Sequence, residues 1–316
     1  MSSIDKVLIG DKVYFKFVKK LTFMGKKFVY KDHLGKGTVI TKEKYLSDNL
    51  DKIIKKELKF KLNFLESINK KLSDSEKLPE KIEEKAIKIN NLKEIKRYPK
   101  PIDKDFAIKF IFNSNNMEGS KIPEEVVKRI IETGNLNYKN KNEVREALNS
   151  INAFEYLKDF NFNFTSIKRL YYLLTNRLIM DSGSPYPKGF KKVGVVVGNS
   201  STTKSENVEK ELKNLIKWYQ KNKKKIHPLV LAYDFHLDYE RIHPFRDGNG
   251  RTGRLIMNKI LIQNRYPPII VYKENKQDYF NALEKAIKGR KKKYYQFMLE
   301  QTNKSYDYFL ELLQKY

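Results

Sequence analysis

His243-Pro244-Phe245-Arg246-Asp247-Gly248-Asn249-Gly250-Arg251-Thr252-Gly253-Arg254 is the stretch in which the chemistry of this chain collects. Gly248 and Gly250 bracket Asn249, a pattern that suits positive φ angles. Such a loop turns successive N–H groups to one side and makes an anion nest. Apolar spacing predicts a helix over Arg251–Gln263, so its positive end faces the same point. Arg251 and Arg254, three apart, share a face of that helix. Their guanidiniums suit bidentate contact with phosphate oxygens. Asp247 is the one carboxylate beside the nest and a natural ligand for Mg²⁺ held mainly by phosphates. His243 follows a predicted helix, His227–Glu240, and an ordinary imidazole can take a proton from a hydroxyl near neutral pH. The parts together describe a site for phosphoryl or nucleotidyl transfer from a nucleoside triphosphate.

Within the same stretch, Gly248–Gly253 satisfies the G-x-G-x-x-G dinucleotide pattern. The context rejects that reading. A buried apolar strand should precede it, and Asp238–His243 is charged instead. No alternation of strands and helices surrounds it. No P-loop spacing and no kinase catalytic signature occur.

Working outward, most of 101–316 carries helical periodicity. Helices are predicted over Asp103–Asn115, Pro123–Thr133, Asn142–Asp159, Thr165–Met180, Asn207–Asn222, His227–Glu240, Arg251–Gln263, Lys276–Gly289 and Lys292–Tyr316. One segment dissents: Lys191–Asn199 carries Val193, Val195, Val196 and Val197 between glycines, which favours a strand or hairpin. The first hundred residues read differently. Val13–Thr22 and Lys27–His33 form a predicted β-hairpin around Met24-Gly25, with Thr38–Thr41 as a candidate extension. Helical patterns follow over Ile53–Ile68 and Glu80–Arg97. Tyr98-Pro99-Lys100-Pro101 ends the second, because neither proline continues a helix. The expected organisation is a basic extension (1–100), a core (101–301) and a C-terminal helical end (302–316).

Composition bounds the rest. Hydrophobic residues make up 40% and aromatics 13%, too much for a disordered chain. The 65 Lys and Arg against 38 Asp and Glu give a net charge of +27, of which residues 1–100 carry +12. This suits an acidic partner such as nucleic acid. The competing reading is uniform compositional bias, since Lys, Ile, Asn and Tyr are abundant throughout. With no cysteine there is neither disulfide nor thiolate chemistry. Charges fall early in Met1–Lys12, unlike a secretory leader. No apolar run approaches the roughly 20 residues a membrane span needs. A cytoplasmic location without membrane contact is the default expectation.

The twelve residues 243–254 match H-x-F-x-[D/E]-G-N-G-R-x-x-R in full, and the chain is identified by them as a member of the Fic family. The resemblance extends over about 101–301, through the helix Leu229–Glu240, the valine-rich segment and the helix of Tyr279. It implies a mainly α-helical bundle with a small β-hairpin flap. It implies transfer of AMP from ATP to a Ser, Thr or Tyr hydroxyl of a protein, with Mg²⁺. By that resemblance His243 is the general base, Phe245 the loop anchor and Asp247 the metal ligand. Gly248, Asn249 and Gly250 cradle the α-phosphate, within a nucleotide-binding run that includes Thr252 and Gly253. Arg251 meets the α/β-phosphates and Arg254 the γ-phosphate. Val195, Val196, Val197, Gly198 and Tyr279 resemble parts of the nucleotide pocket and flap, which aligns the target by strand addition.

A second motif lies upstream. Ser114-Asn115-Asn116-Met117-Glu118-Gly119 resembles the [S/T]-x-x-x-E-[G/N] signature of members with an N-terminal inhibitory helix (here about 103–119). In them the glutamate pairs with the second motif arginine, here Arg254, and denies it to the γ-phosphate. The competing reading is that Glu118 simply ends a helix, with Gly119 as its C′ residue. The resemblance leaves open AMP removal assisted by Glu118, self-modification and a homodimer. A nucleic-acid-binding or adaptor role through residues 1–100 is the alternative class. Lys191 and Lys192 stand where the family often has arginine, Tyr171-Tyr172 where many members have histidine, and Ile287-Lys288-Gly289 replaces the usual Asn-Glu-Gly. His227, His236 and His33 read as a helix start, a core residue and a strand end, and Trp218 as core. None of the histidines sits in a metal-binding cluster.

Overall fold

The computed structural model describes residues 2–36, 40–65, 77–97, 100–180, 182–194, 196–197 and 200–316. The chain opens with three antiparallel strands in the order β1 (Ser2–Ile9), β2 (Lys12–Phe23) and β3 (Lys26–Lys36). Met24 and Gly25 both take positive φ, 47° and 77°. That is the backbone a two-residue hairpin turn needs to match strand twist. The register runs Phe23↔Lys26 back to Tyr14↔Lys36, with an irregularity at Phe15/Lys16. Strand β1 was not foreseen: Ile4, Val7 and Leu8 give it only a weak alternation. The candidate extension over Thr38–Thr41 lies partly outside the described residues, and Thr41 itself caps a helix.

One face of β2 lies against α1 (Lys42–Asp48), α2 (Leu50–Leu62) and α3 (Lys77–Ile95). Phe17, Tyr45, Leu46 and Ile53 form a small cluster there. Phe23, Leu65, Ile82, Ala86 and Ile89 instead join the main core, so the first hundred residues share it with the rest. Next comes α4 (Lys100–Met117), where Pro101 sits in the first helical turn rather than only breaking the chain. Proline is tolerated there because first-turn N–H groups have no intrahelical partner.

The helices α5 (Glu124–Thr133), α6 (Lys141–Tyr156) and α7 (Phe164–Thr175) follow. α7 ends five residues before its predicted limit. The chain reverses there, Arg177 takes a positive φ of 55°, and Ile179 bridges to Pro185. Among the described residues of the valine-rich segment, Val196–Val197 (β4) pairs with Ser200–Ser201 (β5). Val195 and Gly198 lie outside the described residues. The remainder is α8 (Val208–Asn222), α9 (Pro228–Ile242), α10 (Asn249–Gln263), α11 (Lys276–Ile287) and α12 (Lys292–Lys315).

Buried on nearly every side, the antiparallel pair α9–α10 forms the centre of the molecule. A helix apolar all round belongs in a core, and α8, α7, α4 and α11 pack about this pair. The architecture is mainly α, with the sheet confined to the N-terminus and a two-rung hairpin near the site. Trp218 is only half buried, on the core's edge. No helix among the described residues is long and apolar enough to cross a membrane.

Candidate active site

The site is the connection from α9 to α10. His227 caps α9 by accepting from the Leu229 N–H, with Pro228 in the first turn. α9 ends where His243 enters the left-handed region, φ 50°, its N–H donating to the Tyr239 carbonyl. Phe245 then plugs into the core, stacked face to face on Tyr171 at 3.8 Å between ring centroids. Asn249 clamps the loop, as its Oδ1 accepts from the Phe245 N–H and its Nδ2 donates to the Phe245 carbonyl, both at 2.9 Å. Gly248, φ 79°, precedes the first residue of α10. Beyond it lie first-turn N–H groups that a helix leaves unsatisfied.

Both arginines of α10 are buried and both meet a carboxylate. Arg254 donates from Nε to the Ser114 hydroxyl (3.1 Å), and from Nη2 to the Ser114 carbonyl (2.9 Å) and Glu118 Oε1 (2.6 Å). Arg251 donates from Nη1 to Glu146 on α6, and from Nη2 to the Tyr186 hydroxyl at 3.3 Å. Tyr186 in turn donates to Asp247 Oδ2 at 2.9 Å. The Glu118 side chain retains 22% of its exposure and that of Arg254 1%. Burial opposes ionisation of Glu118, but Arg254 and Arg251 outweigh it and hold the carboxyl below its usual range.

Glu118 arrives there because α4 stops. Its N–H donates to Asn115, Gly119 takes φ 108°, and the Ser120 N–H also returns to the Asn115 carbonyl. Helix termination and contact with Arg254 are therefore one device rather than alternatives. The glutamate lies directly over Gly250, where a β-carbon would collide with Oε1 and come within 2.9 Å of Arg254 Nη1.

His243 lies beside a second carboxylate. Burial first, and then the Lys191 ammonium, depress its imidazole from 6.5 to about 4. Lys191 replaces the expected arginine, donating to Thr202 Oγ1 (2.6 Å) and to the Ile242 carbonyl (3.2 Å). Glu240 places Oε2 3.8 Å from His243 Nδ1 and Oε1 4.0 Å from His236 Nδ1. Burial, then the Glu118 charge, pushes Glu240 up to about 8. His236 Nδ1, Glu240 Oε1, His243 Nδ1, Arg251 Nε and Arg254 Nη1 are buried without hydrogen-bond partners among the described residues. Unsatisfied buried polar atoms are uncommon and call for a ligand, an ion or water.

Residues 164–261 match the Fic/DOC family. This chain carries a Fic domain. A protein adenylyltransferase Fic from Nematostella vectensis is 28% identical over 73% of the chain and 55% of its own length. Its namesake from Aedes aegypti is 26% identical over 73% and 47%. The chain thus spans about half the length of these relatives. A solved Fic family protein from Desulfovibrio desulfuricans aligns at 25% identity with a TM-score of 0.63, covering 74% of this chain and 73% of that one. A Fic domain containing signaling protein from Bacteroides thetaiotaomicron gives 0.63 at 21% identity, covering 74% and 98%, a likeness of fold.

Within the Fic domain the candidates divide. His243, Asp247, Gly248, Gly250, Arg251 and Arg254 converge on one loop, together with Ser114 of α4 and Glu118 of the turn that ends it. Thr252 and Gly253 face inward. The Thr252 hydroxyl donates to the Gly248 carbonyl, and a β-carbon on Gly253 would meet Glu240 and His236. They hold the loop to α9 and do not point at the nest. Asn249 likewise spends its side chain on Phe245 and leaves only its backbone to the cradle. Tyr279 is buried, its hydroxyl 2.8 Å from His236 Nε2. Glu146, Tyr186 and Glu240 were not singled out by the sequence. Glu240, three residues before His243, had a spacing that marks a shared helical face. Tyr186 had only its flanking prolines, and Glu146 had no signal.

Asp247, the motif's carboxylate beside the nest, accepts from Tyr186 through Oδ2. Among the described residues no group of three or more His, Cys, Asp or Glu surrounds a point. An ion held by one carboxylate and the substrate's phosphates needs no such cage.

Proposed function

We propose that this chain transfers AMP from ATP to a Ser, Thr or Tyr hydroxyl of a protein, and that Glu118 restrains it. The observation that carries this reading is the loop itself: a buried imidazole, a helix N-terminus and two arginines converge on one nest. His243, neutral down to about pH 4, takes the hydroxyl proton. The hydroxyl oxygen bonds to the α-phosphorus as the α–β phosphoanhydride breaks and pyrophosphate leaves. First-turn N–H groups of α10 stabilise charge developing on the α-phosphate, as donors fixed in advance do. Asp247 would hold Mg²⁺, which neutralises phosphate charge when bound. The relatives' names, protein adenylyltransferase Fic, agree with this activity.

Restraint follows from competition. The Nε–Nη2 side of Arg254 is filled by Ser114 and Glu118, so a γ-phosphate meets an occupied guanidinium. Incubating the chain with ATP labelled on the α-phosphate, wild type beside Glu118→Gly, tests the reading. Label should appear on the variant itself or on an added protein acceptor. A Glu118→Gly chain that binds ATP yet transfers no label sinks it.

A further inference from the structure

Arg251 and Arg254 present opposite sides of their guanidiniums to their glutamates. In an arginine, Nε and Nη2 lie on the same side and together form a two-pronged donor edge, the shape that phosphate and carboxylate oxygens match. On Arg254 that edge is spent on Ser114 and Glu118, and the atom left over is Nη1. On Arg251 the arrangement is reversed. Glu146 holds Nη1, the back of the group, and Nε, although buried, has no partner among the described residues. Nη2 reaches only the Tyr186 hydroxyl, at 3.3 Å. It also lies 3.7 Å from where a β-carbon on Gly248 would be, so this edge lies against the loop.

We propose that Glu146 is a positioning residue: it grips Arg251 from behind and aims its open Nε–Nη2 edge at the phosphates of the bound nucleotide. The two glutamates on α10's arginines therefore act in opposite senses, Glu118 as a competitor for substrate and Glu146 as a support. Glu146 is suited to this by its place. It stands within a 16-residue helix, α6, rather than in a turn. That helix is fixed to its neighbours by Ser150 donating to Asn115 Oδ1 (2.9 Å) and Asn149 donating to the Leu174 and Asn176 carbonyls. A long arginine fixed at one end loses less freedom on binding, so the phosphate contact is stronger. Tyr186 joins the support, since it bridges Nη2 to Asp247 and can pass the edge to an incoming oxygen.

The assignment rests on the nucleotide-transfer reading, but it is tested on binding. In the Glu118→Gly full-length chain, Glu146→Ala and Glu146→Gln are compared by calorimetric titration with ADP and with adenosine, in the presence of Mg²⁺. Glu146→Ala should weaken ADP by roughly tenfold, the scale of one charge-assisted hydrogen bond. Glu146→Gln keeps an acceptor for Nη1 and should lose less. Adenosine affinity should not move in either. Unchanged or tighter ADP binding overturns the assignment, and tighter binding would make Glu146 a second brake, since removing its charge frees Arg251. Equal losses for ADP and adenosine overturn it too, because they mark a deformed pocket rather than a misaimed guanidinium. A chain that shows all the expected binding but transfers no AMP fails the activity reading alone.

Discussion

Two buried clusters of glutamate, histidine, tyrosine and a cation occupy this molecule, and they are finished differently. In the first, Glu83 of α3 accepts from Lys61 Nζ (2.8 Å) and from the Tyr266 hydroxyl (2.6 Å), with His227 Nε2 at 3.3 Å. His227 Nδ1 accepts from the Leu229 N–H, and the Lys61 ammonium lies over the rings of Phe23 and Tyr266. Every polar atom of that quartet has a use. In the second, around His243 and the two arginines, five buried polar atoms have none among the described residues. A satisfied buried network makes the fold rigid, while a partly satisfied one is costly unless something else completes it. The closed cluster ties the N-terminal helices to α9 and to the residues after α10, and the open one is where the proposed transfer would take place.

The sharpest way to break this contrast is at the base. His243→Ala should leave ATP binding largely intact and lower AMP transfer by roughly 10²–10⁴, the range for lost acid–base catalysis. Undiminished labelling would remove His243 from the chemistry. The closed cluster should answer in stability instead. Glu83→Ala takes from buried Lys61 its 2.8 Å partner, leaves it only Glu57 at 3.8 Å among the described residues, and should cost about 3 kcal/mol in urea unfolding. Burial raises the Glu83 carboxyl, but Lys61 and then His227 bring it down to about 2. Its folded value is thus depressed from 4.5, so its contribution is full above about pH 4.5 and is lost as pH falls towards 2. A variant whose stability deficit does not shrink over that window contradicts the account.

At the open cluster, a double variant separates competition from mere loosening. Glu118→Gly should raise transfer at least about tenfold, and adding Arg254→Ala should erase the gain because both act on one contact. Additive effects would show that the glutamate restrains something else. The pH profile gives a finer test. Since the imidazole is depressed from 6.5 to about 4, the rate should hold through pH 6 and fall only as pH drops through about 4. An acid limb at the ordinary histidine value would place His243 in water. The smallest effect belongs to the surface. If the +12 of residues 1–100 is more than composition, the chain binds duplex DNA weakly. The slope of log affinity against log salt then grows by roughly 0.9 per phosphate neutralised. No binding at low salt would leave that charge as background.

The legible part of this molecule was its repetitive and its locally encoded part. Helix periodicity placed α8 to α12, and the twelve-residue motif drew attention to His243, Asp247 and both arginines, because the nest and helix start are consecutive in sequence. Glu118 was visible only through a short signature, but Gly119 also announced the end of a helix. What could not be read was partnership across the fold. Glu146 stands 105 residues from Arg251, among acidic residues that look alike in sequence, and only the packing of α6 selects it. Thr252 and Gly253 show the same limit: lying within the motif does not say which way a position on α10 faces, and the Thr252 hydroxyl turns to the Gly248 carbonyl. Strand β1 escaped because an edge strand with one half-exposed face carries little alternation.

Gly250 has a consequence for how the proposed restraint can be lost by mutation. A methyl group at this position would occupy the place of the Glu118 carboxylate, and it would also stand in the nest proposed to receive the phosphate. Eviction of the guard and obstruction of the doorway are one event at that residue. A genetic screen for released variants should therefore recover changes in the α4 turn, at Glu118 and at the positive-φ Gly119, and recover none at residue 250.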